Sequence, residues 1–111
     1  MSAAEDLLEL HLKAEKIHFV REVKCIPDRD FRFDFRCRNL DNEEAVLVEV
    51  QGGVWLKGKS GHSSGTGITR DCEKLSLAAV NGYRTIVVTP AQIKSGLAIK
   101  WIREALGSPK G

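Results

Sequence analysis

Two stretches of this chain alternate apolar and polar residues strictly enough to read as neighbouring strands that share their faces. Phe31, Phe33, Phe35 and Cys37 alternate with Arg32, Asp34, Arg36 and Arg38, while Val46, Val48 and Val50 alternate with Leu47, Glu49 and Gln51. A period of two residues gives a strand one greasy and one largely polar face. If Asp41-Asn42 forms the turn of a two-residue hairpin, partner numbers sum to 83, so Asp34 falls opposite Glu49, Arg32 opposite Gln51 and Phe33 opposite Val50.

Two carboxylates directly opposite on a sheet repel unless something positive lies between them. A divalent cation answers that repulsion. Hard oxygen ligands suit magnesium, with manganese as a substitute, and such ions take only one or two protein carboxylates where a phosphate supplies further ligands. The arrangement therefore points to phosphodiester hydrolysis. The alternative is that Arg32 and Arg36 neutralise both acids in an exposed ladder of ion pairs, which are common and individually weak.

At 111 residues the chain is expected to form one domain with a single core. Hydrophobic residues make up 42% and charged residues 29%, the balance of an ordinary globular protein rather than a disordered one. No apolar run approaches the roughly 20 residues that span a bilayer, and Glu5 and Asp6 do not suit a signal peptide, so an intracellular, cytoplasmic protein without a membrane partner is expected. Cys25, Cys37 and Cys72 are odd in number and widely spaced, which fits reduced core or half-buried thiols. The net charge of +2 does not itself argue for nucleic acid. Its distribution is more informative, because Gly52 to Arg70 carries Lys57, Lys59, Arg70 and His62 with no acid. Such a stretch suits a phosphate backbone, or is a plain polar loop.

Along the chain, Ser2-Ala3-Ala4-Glu5 has the form of a capping box, and Leu7, Leu8, Leu12, Ala14 and Ile17 give a helical stripe over about 3–16. Phe19 to Ile26 reads as a strand ending at Pro27, Asp28-Arg29-Asp30 as a turn, and the two alternating strands follow as a meander. Gly52 to Gly67, with six glycines and four Ser or Thr residues, reads as one long loop. A second helix is expected from about Thr69 to Val80, with Ile68, Cys72, Leu75 and Ala79 on its apolar face and Asn81-Gly82 as its stop. Tyr83 to Thr89 forms a strand whose Ile86-Val87-Val88 run suggests burial on both faces. A last helical region starts at Pro90, with Gly96 as its weak point, and 107–111 forms a tail.

The resulting order, an αβββαβ core with a C-terminal helix and a mixed four-stranded sheet of the α/β class, resembles the PD-(D/E)XK or restriction-endonuclease-like nuclease superfamily. Phe33-Asp34-Phe35, Val48-Glu49-Val50-Gln51-Gly52-Gly53, Asp71 and Asn81-Gly82-Tyr83-Arg84 look like small phage-type and very-short-patch-repair-like nucleases, and the resemblance spans nearly the whole chain. It implies a DNA endonuclease in which Asp34 and Glu49 hold catalytic magnesium, with junction- or branched-DNA resolution as an alternative and a homodimer as the form that cuts both strands. A nucleic-acid-binding module that keeps the fold without the chemistry is a further alternative.

The departure is Gln51, where the family pattern has lysine. Glutamine orients water but carries no charge to offset that developing on the phosphorane. Lys74 is the first candidate for a relocated lysine and Lys24 the second. An acid on the first helix completes the site in related nucleases, so Glu5 is either that ligand or a helix cap; Glu9 could serve instead while pairing with Lys13. His62 suits a general base or acid, Trp55 a stacking platform, and Arg32, Arg36, Lys57, Lys59 and Arg70 phosphate contacts.

Overall fold

The computed structural model describes residues 3–51 and 64–107, and only the backbone of 64–66 within them. The elements are α1 (Ala3–Ala14), β1 (His18–Val23), β2 (Phe33–Arg38), β3 (Ala45–Val50), α2 (Ser64–Val80), β4 (Thr85–Val88), α3 (Pro90–Lys94) and α4 (Leu97–Ala105). One mixed four-stranded sheet has the order β1-β2-β3-β4, antiparallel across the first two joins and parallel at the third. The α/β class and mixed sheet are those expected from the sequence.

The β2–β3 register is also the expected one. Phe35 pairs with Val48 and Cys37 with Val46, keeping the sum of 83, although the turn differs. Asn39 N–H donates to Glu44 O at 2.9 Å and Glu43 N–H to Asn39 O at 2.8 Å, so the connection is the longer loop Leu40 to Glu43. Asparagine chemistry explains it. The Asn39 and Asn42 side-chain oxygens accept from Asp41 N and Glu44 N, each at 2.9 Å, while Glu43 takes φ 65°. Both asparagine Nδ2 groups donate to Leu106 O, at 3.0 and 3.1 Å, tying the loop to the end of α4.

Both faces of the sheet are covered. Leu8 and Leu12 of α1, Phe35 and Cys37 of β2, Val46 and Val48 of β3, Val88 of β4, and Ile93, Ala98 and Ile102 of α3 and α4 form one core. Ile26, Phe31, Phe33, Leu47 and Ala78 form a second, with Leu75 and Leu77 of α2 against it. The expected polar face therefore fails at its centre: Leu47, between Val46 and Val48, is fully buried beneath α2. Burial pushes the Cys37 thiol up to about 12, marking it as an inert core group.

Several sequence expectations shift for the same reason. The first strand stops at Val23 and the second starts at Phe33, because Ile26 and Phe31 leave the ladder to fill the second core. The second helix begins at Ser64, five residues before Thr69, and absorbs Gly65 and Gly67 from the expected loop. Its inward face is also rotated: Ile68 is 60% exposed, and Cys72 and Ala79 are exposed, while Ala78 is buried. β4 lies at a sheet edge, so Val87 is 39% exposed instead of buried. Thr89 caps α3 in a capping box with Gln92, Pro90 opens the helix, and Gly96 at φ 89° breaks the last region into two helices. No helix among the described residues is long and apolar enough to cross a membrane.

Leu47 distinguishes a two-sided core from a sheet with one wet face. Leu47→Ala is expected to lower unfolding free energy by about 2–5 kcal/mol, the range for truncating a buried leucine, as read from urea midpoints. A change within about 0.5 kcal/mol would instead place the side chain at the surface.

Candidate metal and acid–base site

The β2–β3 ladder stops at Phe35 and Val48, and the expected pairs Asp34–Glu49, Phe33–Val50 and Arg32–Gln51 do not form. The Asp34 carboxylate takes over the main chain's role: Val50 N–H donates to its Oδ2 at 2.7 Å. Gln51 N–H turns the other way, donating to Val88 O of β4 at 2.8 Å. Main-chain pairing of β2 with β3 thus gives way to a side-chain bond at Asp34. A charged acceptor makes that bond stronger than a neutral pair and holds the carboxylate at one end of the sheet.

On one side of Asp34 lie Glu5 of α1 and Glu22 of β1. The three carboxylates present oxygens that all fall within 4.8 Å of one another. The β1–β2 partner numbers sum to 56, as in Arg21 with Phe35 and Val23 with Phe33, which sets Glu22 opposite Asp34. Glu22 has φ 55°, a left-handed backbone inside a strand. Glu5 is held by Arg21, whose Nη2 donates to Oε1 at 3.1 Å. Arg21 Nη1 also donates to Asp6 at 3.1 Å and to Glu9 at 2.7 Å, and its guanidinium lies 5.1 Å from the Phe35 ring centroid. The Arg21 bond, then Lys13, holds the Glu9 carboxyl below the usual range.

On the other side lie Glu49 of β3 and Lys74 of α2. Lys74 Nζ ion-pairs with Glu49 Oε2. The ammonium also lies 4.6 Å from the Phe33 ring centroid. Both side chains are largely buried, at 18% and 13% exposure. Burial pushes the Glu49 carboxyl up to about 7; Lys74 opposes the rise and neighbouring Asp34 adds to it. A recess of about 20 Å³ is lined by Glu49, Gln51, Asp71, Lys74, Leu75 and Val87. That volume fits one water, and four polar side chains are there to bind it.

Asp34, Glu49, Gln51, Lys74 and Glu5 thus gather at one end of the sheet, with Lys74 beside Glu49. Lys24 lies elsewhere, paired with Asp30 at 2.7 Å in the β1–β2 connection. Glu9 pairs with Lys13 as expected, at 3.1 Å, and with Arg21 besides. The alternative in which Arg32 and Arg36 neutralise both acids is absent, since Arg32 pairs with Glu22 at 3.5 Å and Arg36 packs over Tyr83 at 5.8 Å. Arg70 packs over Phe31 at 5.1 Å. Lys57, Lys59, His62 and Trp55 lie outside the described residues, as does Ser2 of the expected capping box. Sequence reasoning missed Glu22 and Arg21; the β1–β2 register would have found both, but the long connection between those strands conceals it.

Two measurements follow from these environments. The folded pKa of Glu49 lies above its unfolded value of 4.5, so folding retains a proton, and stability falls as pH rises from 4.5 through about 7. Relative to Glu49→Gln, the wild type is expected to lose on the order of 3 kcal/mol across that window, measured by urea unfolding at each pH. For Asp34, the expectation in EDTA is that Asn, which can still accept from Val50 N–H while relieving repulsion, leaves the melting temperature unchanged or raises it. Asp34→Ala strands that N–H and is expected to cost about 1–3 kcal/mol.

No family model, curated protein or solved structure matches the chain.

Proposed function

We propose that this chain is a metal-dependent DNA endonuclease with a restriction-endonuclease-like fold, in which magnesium, or manganese in its place, is held at the carboxylates around Asp34. The observation that carries the reading is the position of Asp34, fixed by Val50 N–H between the Glu5 and Glu22 carboxylates and a largely buried Glu49–Lys74 pair. The element order and mixed sheet support it.

The donor set fits such a cation. Glu5, Glu22 and Asp34 are all hard oxygen ligands within reach of one centre, with Glu49 adjoining Asp34. When bound, the ion supplies Lewis acidity toward the phosphate and toward a water. The protein does the rest. Gln51 orients water in the recess beside Glu49, and Lys74 supplies there the positive charge that Gln51 lacks. With its pKa near 7, Glu49 can take or release a proton at neutral pH. Arg32, exposed beside Glu22, is the side chain we assign to a neighbouring phosphate. One such site cuts one strand, so double-strand cleavage calls for a homodimer. The pairing of Lys74 with Glu49 favours an active enzyme over a binding module without chemistry.

Cleavage of duplex, single-stranded, flap and four-way DNA with magnesium or manganese tests this. Nicking is expected to stop in EDTA and to fall by about 10²-fold or more in Asp34→Asn, Glu49→Gln and Lys74→Met, with circular dichroism and DNA binding retained. No cleavage of any substrate, or variants that cut like the wild type, would reject the assignment.

A further inference from the structure

Glu5 is claimed twice. Its Oε1 accepts from Arg21 Nη2 at 3.1 Å, and its carboxylate also belongs to the group with Glu22 and Asp34. The Arg21 side chain is only 16% exposed, so water screens its charge poorly, and it faces three acids of α1 at once. A fixed positive charge beside a carboxylate repels any other cation seeking that carboxylate. We propose that Arg21 is the built-in counter-cation of Glu5 within the group that Glu5 forms with Glu22 and Asp34, competing with a divalent ion for Glu5 while holding the metal-free fold together. The proposal rests on the reading above that this group takes the ion.

The seat of α1 does not depend on Arg21 alone. Leu8 and Leu12 are fully buried in the first core and fix the helix against the sheet. Loss of the guanidinium therefore leaves Glu5 facing inward but uncompensated by Arg21, with Glu9 keeping only Lys13. The group becomes more negative at an unchanged position. A divalent ion gains what the arginine gave up, so Arg21 acts through Glu5 as a positioning residue that trades ion affinity for metal-free stability.

Titration with manganese, followed by electron paramagnetic resonance and by melting, tests the trade in wild type, Arg21→Lys, Arg21→Met and Arg21→Met/Glu5→Gln. In EDTA, Arg21→Met is expected to melt lower by roughly 4–8 °C. It is expected to bind manganese at least about tenfold more tightly than wild type, and to gain more in melting temperature from the ion. Arg21→Lys, which keeps the charge, stays near wild type, and adding Glu5→Gln removes the gain. If Arg21→Met does not fold in EDTA, native circular dichroism recovers with manganese and not with sodium chloride of equal ionic strength; no recovery overturns the proposal. Equal affinity in wild type and Arg21→Met overturns it while leaving the metal site standing. No manganese bound by any of the four overturns the metal reading and this proposal with it.

Discussion

The bond from Val50 N–H to the Asp34 carboxylate sets the geometry on which the site depends. Replacing a main-chain acceptor with a side-chain one ends the β2–β3 ladder without orphaning a donor, since the N–H that would otherwise be unmatched meets a charged oxygen. It also fixes the orientation of a carboxylate that would otherwise rotate freely. From that anchor the neighbouring acids take their places, Glu22 by the β1–β2 register and Glu49 on the adjoining strand, where Gln51 turns to β4. The same bond therefore ends the regular sheet and begins the site.

Two-sided burial supplies the rest of the chemistry. Had the second face of the sheet met solvent, Glu49 would be an ordinary surface acid and Lys74 a solvated helix residue. With α2 laid across it, Leu47 and Ala78 exclude water from the middle of that face, and Glu49 is left at the margin with a carboxyl displaced toward neutrality. Lys74 reaches it over the Phe33 ring, an apolar surface that accommodates a cation by its quadrupole. The opposite face follows the same logic, with Arg21 over Phe35 and its carboxylate acceptors on α1. On each face, an aromatic residue of β2 carries a basic side chain that answers acids.

The parts of this arrangement that were legible in the sequence are those with short periods. Alternation over Phe35 to Cys37 and Val46 to Val48 gave the paired strands and their register, because a slip of one residue would turn these four side chains away from the first core, whereas Phe33, of the same parity, packs in the second. Asp34, Glu49, Gln51 and Lys74 could be singled out on that basis and on the family resemblance. The rotation of α2 could not, since its inward face carries Lys74 beside Leu75 and Ala78, so a charged residue occupies a place that hydrophobic patterning assigns to the surface. Glu22 and Arg21 were hidden by a different cause. Their partners across the sheet depend on where β2 begins after the connection through Ile26 and Phe31, and those two residues look like strand residues while serving the second core.

Charge at this end of the sheet is unevenly answered, and the unevenness is informative. Glu49 has Lys74, Glu5 and Glu9 have Arg21, and Glu22 has a looser, exposed contact with Arg32. Among the described residues no lysine or arginine ion-pairs with Asp34, whose Oδ2 is met instead by a backbone N–H. A protein optimised only for stability would place a basic side chain against that acid, because the carboxylates on either side of it raise the cost of its charge. Among the described residues the central acid is thus answered by a dipole and not by a basic side chain, which suits a cationic partner from solution. Under the function proposed, that partner is a divalent ion with the DNA phosphate it brings, and the surrounding lysine and arginines stabilise the fold while the ion is away.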